Sequence, residues 1–407
     1  MYRDILNDKK VARYITSYNS FYFANGFAST FLNVFFFSNG EILHVIEYQI
    51  SYQLLQLLTF IISGTLSNRI NTKHIYAYGN IFRAFSLMAT IFIGGIFYNQ
   101  VFFGAIYGLS GGLFWAGNAI VSLEVSRGKD RLNFLAVNST VSYITSLLAP
   151  LVGGIAIEDT PLHGILRYSI VFTATAILLL FSAIEIEKLN LTERKAEKIR
   201  IIDSIYADRN IKRPFKNYFF FSSVYIFSVS IILPVFVFKV TGNYTLVGIL
   251  AASMAASSIC GNIFSPYLIK KRNTRIVYLY AVFIIASSFL YLKISSNPVL
   301  FSFIAGDVAM LFVAPINNRS MSNFMNSVDL LTTSFPYWIN REYYLVGGRL
   351  VMLVSTIAII FYFGFDILMH TMTLMAVTVL LMLSATRIDS LDDKHPDVNN
   401  ERLKKDF

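Results

Sequence analysis

The sequence predicts an all-α polytopic membrane protein built from two pseudo-symmetric six-helix bundles, with the N and C termini cytoplasmic. Three observations lead to this fold class. Of the 407 residues, 55% are hydrophobic and only 14% are charged, whereas soluble chains carry about 25% charged residues because their surfaces face water. The apolar residues form a series of runs long enough to span a membrane. Basic residues concentrate in every second loop between these runs.

Twelve predicted spans divide into two sets of six. Each crosses the hydrocarbon as a helix, which satisfies every backbone polar group within one segment. The first set comprises residues 14–38, 44–66, 75–97, 100–124, 134–156 and 165–186. The second set comprises residues 217–238, 244–269, 276–294, 298–322, 337–363 and 366–386.

A charged segment separates the two sets and sets the domain boundaries. Its stretch 192–206 spaces Ile199, Ile202 and Ile205 along one side of a helix, so both an amphipathic surface helix and a solvated linker fit it. The predicted domains are an amino-terminal bundle, a cytoplasmic linker, a carboxyl-terminal bundle and a polar cytoplasmic tail, at residues 1–186, 187–215, 216–387 and 388–407.

The loop charges predict the orientation. The loops at 67–74, 125–133, 187–216 and 270–275 are rich in Lys and Arg, whereas the opposite loops carry Arg167, Lys239 and Lys293 as exceptions. The positive-inside rule places the basic side in the cytoplasm. We therefore expect a multi-pass, monomeric protein of the cytoplasmic membrane of a prokaryotic-type cell. Its net charge of +10 then serves contact with anionic lipid and topology, and not nucleic acid.

Two short segments indicate an internal repeat. Residues 71–78 read NTKHIYAY and residues 273–280 read NTRIVYLY, and each follows a predicted span, occupies a basic loop and opens the next span. Two parallel six-helix repeats build a central site near the membrane midplane that is reached alternately from each side.

The loop between the second and third spans resembles the signature of the major facilitator superfamily. Residues 64–73 read GTLSNRINTK, against a family pattern of roughly G-x-L-x-D-R-x-G-R-K, with Asn68 replacing the acid. Glu124, followed by Arg131, resembles the charged inner gate of that family, and Glu342 beside Arg341 is either its counterpart in the second half or a helix-start charge pair. The resemblance implies a cytoplasmic gate formed by Gly64, Asn68, Arg69, Lys73, Glu124, Arg131, Arg341 and Glu342.

The fifth span contains an element similar to one found in many exporters of this family. Residues 149–154 read APLVGG, close to the family's G-P-x-x-G-G. The resemblance implies a hinge and close packing at Pro150, Gly153 and Gly154, and it favours export. A simple proline kink with a glycine packing contact fits the same residues.

Three ionisable residues lie deep in the predicted spans, where a charge is costly and commonly functional. In the functional interpretation Asp307 switches protons or substrate, and Arg83 and Arg349 bind anions. In the structural one Asp307 pairs with Arg349 and Arg83 snorkels toward the inner face. Two cations against one acid favour an anionic or zwitterionic substrate. Polar candidates for a central substrate cavity, each also suited to a helix–helix hydrogen bond, are Asn25, Trp115, Asn118, Asn138, Tyr143, Tyr225 and Asn317.

These features predict a secondary active transporter that moves a small organic solute by alternating access, coupled to protons and favouring export. No G-x-x-x-x-G-K-[ST] loop for ATP is present, so a gradient must supply the energy. A flippase for lipids or lipid-linked substrates and a facilitative uniporter are the alternatives on the same fold. The sequence offers no nucleophile–base cluster and no metal-ligand spacing, so we expect neither an enzyme nor a cofactor or metal.

Overall fold

The computed structural model describes most of the chain and is helical wherever it has regular secondary structure. The described residues are 8–38, 42–93, 99–127, 131–162, 164–191, 203–204, 207–208, 211, 213–270, 297–329 and 335–363. The predicted spans 276–294 and 366–386, the second repeat segment, most of the stretch 192–206 and the tail lie outside them.

The first half of the chain contains six long helices. The helices are α1 (Lys9–Ser38), α2 (Ile42–Leu66), α3 (Thr72–Ile93), α4 (Gln100–Val125), α5 (Arg131–Glu158) and, after a 3₁₀ turn at Gly164–Tyr168, α6 (Ser169–Glu187). Helix α1 begins before the predicted residue 14 because Asp8 caps it: its carboxylate accepts the backbone N–H of Lys10 at 2.8 Å. We call the side at which α1 begins the amino-terminal side.

The second half begins with one continuous helical path in three parts. The parts are α7 (Arg213–Phe227), a π-helical turn (Ser228–Ile232) and α8 (Leu233–Thr241). The π turn lies just before Pro234, which has no N–H to donate to the helix ladder. Gly242, at φ 64°, ends the path in the left-handed conformation. The later helices are α9 (Tyr244–Lys270), α10 (Pro298–Asp329) and α11 (Phe335–Phe363).

The chain is an integral, multi-pass membrane protein. Seven helices among the described residues are long and apolar enough to span a bilayer, namely α2, α4, α5, α6, the α7–α8 path, α9 and α11. Helices α1, α3 and α10 are less apolar because they carry polar side chains, such as Asn33, Asn80 and Arg83, and these are buried in the protein. Large apolar side chains, including Phe85 and Phe361, are exposed on the outside, where lipid is the fitting solvent.

A row of glycines on α4 brings α2 unusually close. Gly104, Gly108 and Gly112 follow one another at intervals of four residues and therefore share one face of the helix. A Cβ at these positions would collide with the backbone carbonyls of Tyr48, Tyr52 and Gln56 on α2. The contact between the two backbones thus requires residues without side chains, as in other membrane helix pairs.

We expect Gly108→Ala to lower the thermal unfolding midpoint of the purified protein, because overpacking a close contact costs about 1–3 kcal/mol. Gly347→Ala is the matched control: a Cβ there would meet its nearest atom, in Phe220, at 3.8 Å. An alanine helix position is favoured over glycine by about 0.5–1 kcal/mol, so the control should hold or raise the midpoint. Equal midpoints for the two variants would contradict the close-packing argument.

Candidate functional site

A cavity of about 190 Å³ lies between the two halves of the chain. Helices α1, α4 and α5 form one wall, and α10 and α11 form the other. The lining residues are Tyr18, Tyr22, Trp115, Asn118, Ala119, Ser122, Leu135, Asn138, Ser139, Ser142, Tyr143, Asn317, Asn318, Met321, Trp338 and Arg341.

The lining combines aromatic rings, amides, hydroxyls and one cation. Aromatic faces come from both halves, with Trp115 on the first and Trp338 on the second. Arg341 is the one charged side chain among the lining residues. Such a wall suits a small organic molecule with a flat or ring-shaped part and a few polar groups.

The central site was expected near the membrane midplane. The cavity instead lies toward the amino-terminal side. On α5 its lining residues run from Leu135 to Tyr143, whereas the helix begins at Arg131. At a rise of 1.5 Å per residue they lie about 6–18 Å along the helix. On α11 the lining residues Trp338 and Arg341 lie in the first two turns.

Five of the seven cavity residues predicted from the sequence line this cavity. Of the other two, Asn25 instead accepts a hydrogen bond from Arg83 at 3.3 Å within the first half. Tyr225 lies on α7, and its side chain is outside the described part of the chain. The five that line the cavity are Trp115, Asn118, Asn138, Tyr143 and Asn317.

Arg341 was expected at a gate, and the structure places it in the cavity wall. Its guanidinium lies 5.4 Å from the ring centroids of both Phe219 and Trp338. Its acidic partner in the described part of the chain is the adjacent Glu342, at 3.5 Å. The Nε atom is buried and has no hydrogen-bond partner there. The cation is thus held by aromatic faces and only loosely by a carboxylate.

Glu342 joins the two halves along α2 and α11. Its carboxylate is 2% exposed and accepts a hydrogen bond from Gln56 of α2 at 3.0 Å. Arg349 lies 4.0 Å from the same carboxylate and donates to Gln53 of α2 at 2.9 Å. The predicted pair between Arg349 and Asp307 does not form, because the guanidinium is turned toward α2 and Glu342.

Asp307 lies in α10 and faces α9. It is half-buried, beside Ser253 and Ser257, and its buried Oδ1 atom has no hydrogen-bond partner among the described residues. It does not line the cavity. A buried oxygen without a hydrogen-bond partner is costly when its carboxylate is charged. Asp307 is therefore suited to gain and lose a proton.

Arg83 is enclosed within the first half and does not snorkel to a surface. The residue is 2% exposed and donates to Asn25 and to the hydroxyl of Tyr52, both at 3.3 Å. Its guanidinium lies over Phe21 and, at 4.4 Å, over Tyr107. Among the described residues no carboxylate pairs with it, so its contacts there are with neutral groups.

An ion pair joins the two halves on the amino-terminal side. Arg131 at the start of α5 lies 2.9 Å from the carboxylate of Asp329 at the end of α10. The same guanidinium donates to the carbonyl of Met325 at 3.3 Å and to Asn326 at 3.0 Å. Arg127 lies 3.7 Å from Asp329. Asp329 was missed because the predicted span ended at residue 322, and in the structure α10 continues to it.

Of the other residues predicted for the gate, one lies in the contact between the halves and the rest lie within the first half. Gly64 is in the contact between the halves: a Cβ there would lie 2.6 Å from the ring of Phe335 on α11. Lys73 instead donates to the carbonyls of Glu187 and Leu189, which holds the first half to itself. Asn68 and the exposed Arg69 lie in the turn after α2, and Glu124 lies in the last turn of α4.

A second set of contacts joins the two halves on the opposite side of the protein. The backbone N–H of Tyr244, in the first turn of α9, donates to the carboxylate of Glu158 at 2.9 Å. Its hydroxyl accepts from Tyr168 at 3.0 Å, and Arg167 lies over its ring at 5.2 Å. These residues gave no sequence signal, because tyrosines near span ends are common interfacial anchors.

Pro150, Gly153 and Gly154 pack α5 against two neighbours. Gly153 faces Phe27 and Phe31 of α1, whereas Gly154 lies against the backbone of Tyr244 on α9. The carbonyl of Pro150 lies where a Cβ of Gly248 would be. The element therefore forms close packing between α5 and α9, which belong to different halves.

Comparisons with known proteins agree on one family and fold. The model of the Major Facilitator Superfamily matches residues 19–336. The uncharacterized protein YqgE of Bacillus subtilis is 23% identical over 346 residues, covering 82% of this chain and 78% of YqgE. A protein encoded in the sodM 3' region of Geobacillus stearothermophilus is 23% identical over 151 residues, covering 37% of this chain and 70% of that protein.

Two solved structures share the fold over nearly the whole chain. A point mutant of the nucleoside transporter NupG superimposes with a TM-score of 0.67 at 12% identity, covering 93% of this chain and 99% of NupG. FucP in its outward conformation gives a TM-score of 0.68 at 10% identity, covering 96% of this chain and 99% of FucP.

No group of three or more His, Cys, Asp and Glu suited to a metal occurs among the described residues.

We expect Arg83→Met to change the free energy of thermal unfolding by no more than about 1 kcal/mol. The loss of the hydrogen bonds to Asn25 and Tyr52 is offset because a charge without an acidic partner among the described residues is removed from a low-dielectric interior. Arg83→Lys should lower the midpoint, because a lysine keeps the charge and loses the planar contacts with Asn25 and Tyr52. A large loss for Met with none for Lys would show instead that the charge itself stabilises the fold.

Proposed function

Because the chain belongs to the Major Facilitator Superfamily, we propose that it is a secondary active transporter that carries a small organic solute across the membrane by alternating access. The solute binds in the cavity beside Arg341. One observation carries the proposal: the cavity lies between the two halves, and contacts between the halves are present on both sides of it. This is the arrangement of a closed intermediate between two open states.

The size and lining of the cavity favour a soluble solute over a lipid. A volume of about 190 Å³ compares with about 150 Å³ for a cavity that binds benzene, so it admits roughly one substituted ring. A flippase requires a wide amphiphilic opening toward lipid, which this small cavity does not favour. NupG is named a nucleoside transporter and FucP a fucose:proton symporter; fucose is a single ring of this size class, whereas a nucleoside is larger.

The amino-terminal side is proposed to be the cytoplasmic side of a prokaryotic-type plasma membrane. The basic residues of the described loops, including Arg69, Lys73 and Arg127, lie there, as the positive-inside rule requires. The element at Pro150, which packs α5 against α9, favours export. Proton coupling is assigned to Asp307, the acid within α10 that has an unpaired buried oxygen.

Alternating access predicts that the two sides open in opposition, and two label pairs test this without any known solute. In a Cys260→Ser background, spin labels at Thr65 and Ser327 report on the amino-terminal side. Labels at Asp159 and Val240 report on the opposite side. All four positions are exposed, and each pair has one label on the first half and one on the second.

Asp329→Ala should lengthen the distance between labels 65 and 327 while labels 159 and 240 stay close, and Glu158→Ala should do the reverse. Asp329→Ala removes the ion pair with Arg131, and Glu158→Ala removes the charged hydrogen bond from Tyr244. A contact worth about 1.5–3 kcal/mol shifts the open-to-closed ratio by about tenfold or more. Glu185→Ala is the control, since its ion pair with Lys188 lies within the first half. Simultaneous lengthening of both pairs, or of neither, would overturn the proposal.

Asp307→Asn should abolish solute-driven proton movement while the protein still folds, because an amide does not exchange a proton. The measurement uses proteoliposomes loaded with a pH-sensitive dye and challenged with a panel of sugars, nucleosides and carboxylates. Asp159→Asn, which removes an exposed acid, is the control. Solute-evoked pH changes of full size in Asp307→Asn would rule out this coupling residue, and transport without pH change in the unchanged protein would rule out proton coupling.

A further inference from the structure

Three arginines lie within the described helices and are enclosed to different degrees. Arg83 is buried, at 2% exposed, whereas the side chains of Arg341 and Arg349 are 21% and 23% exposed. The carboxylate of Glu342 pairs with Arg341 and Arg349, and its side chain is 3% exposed. Three positive charges thus accompany one negative charge in surroundings where water screens them less than at the protein surface.

The half-buried acid Asp307 does not offset the positive charge of the three arginines. Asp307 is on α10 but lies beside Ser253 and Ser257 of α9, and it forms no ion pair with any of the three arginines. Arg131 and Asp329 already compensate one another at the amino-terminal end. Arg83, Arg341, Arg349 and Glu342, taken together, therefore carry a net positive charge.

Arg341 is the cation of this group that a solute can reach. It lines the cavity, and its buried Nε atom has no hydrogen-bond partner within the described ranges. Its one acidic contact among the described residues, to Glu342 at 3.5 Å, is longer than a charged hydrogen bond. Glu342 has a second set of partners in Gln56 and Arg349, so it remains paired when its contact with Arg341 is broken.

We propose that the transported solute is a small organic monoanion, in which a carboxylate on a flat ring replaces Glu342 as the partner of Arg341. This inference rests on the proposed function, in that it assigns the solute of the same cavity. The ring packs against the aromatic wall formed by Tyr18, Trp115 and Trp338. When the solute binds Arg341, Glu342 keeps Gln56 and Arg349 as its partners at the contact between the halves. Occupancy of the cavity is thereby coupled to that contact.

Benzoate and benzamide form a matched pair of probes, because they share a ring and size and differ in charge. The chain has two tryptophans, and both line the cavity, so their emission reports binding there directly. In the unchanged protein the Kd for benzoate should be lower than that for benzamide by about tenfold or more, the effect of one charged hydrogen bond.

Four variants locate the preference for the anion. Arg341→Gln should abolish it, and Arg341→Lys should restore part of it, because lysine keeps the charge but not the planar geometry. Glu342→Gln should lower the Kd for benzoate, because it removes the internal competitor. Lys188→Gln, which removes an exposed cation at the end of α6, is the matched control and should leave the ratio of the two Kd values unchanged.

Several results would overturn the proposal. These are equal affinity for the two probes, an undiminished benzoate preference in Arg341→Gln, or no saturable response to benzoate. The distance measurements with the two label pairs need no solute. Opposed opening without a benzoate preference would therefore remove the anion assignment alone, whereas an Arg341-dependent benzoate site without opposed opening would remove the transport proposal.

Discussion

The contact between the halves along α2 and α11 depends on the carboxylate of Glu342. A buried carboxylate must be paired, because an isolated charge in a low-dielectric interior is strongly unfavourable. Gln56 supplies one partner from the first half and Arg349 another from the same helix. Since Arg349 in turn donates to Gln53 of α2, separating α2 from α11 breaks two polar contacts at once. Both contacts must therefore break before the two helices can separate along this line.

The glycine row of α4 determines where α2 presents these amides. Gly104, Gly108 and Gly112 let the backbone of α2 lie directly on α4, so that α2 is fixed in rotation as well as in position. Gln56 contributes its carbonyl to that contact and its side chain to Glu342. Backbone packing within one half thus fixes the geometry of a polar contact with the other half.

Much of this architecture was predictable from the sequence, and the exceptions have physical causes. Hydropathy and loop charge identify helices because lipid forces complete backbone pairing within a helix. Five cavity residues were found because polar side chains in a span must face protein. Asp329 was missed because hydropathy marks where lipid contact ends, and a helix can continue beyond it. The cavity position of Arg341 was missed because it depends on helix rotation, which Phe219 and Trp338 fix through tertiary packing.

The first turns of α11 connect the cavity to the nearer closure. Phe335 lies against Gly64 and stacks on Phe60 of α2 at 5.6 Å, and one turn later Trp338 and Arg341 form the cavity wall. Phe335 and Arg341 are six residues apart on one helix, about 9 Å along its axis, so a displacement of the first turns of α11 would move both. Because Gly64 leaves no space there for a side chain, such a displacement would change the contact between α2 and α11 on the amino-terminal side.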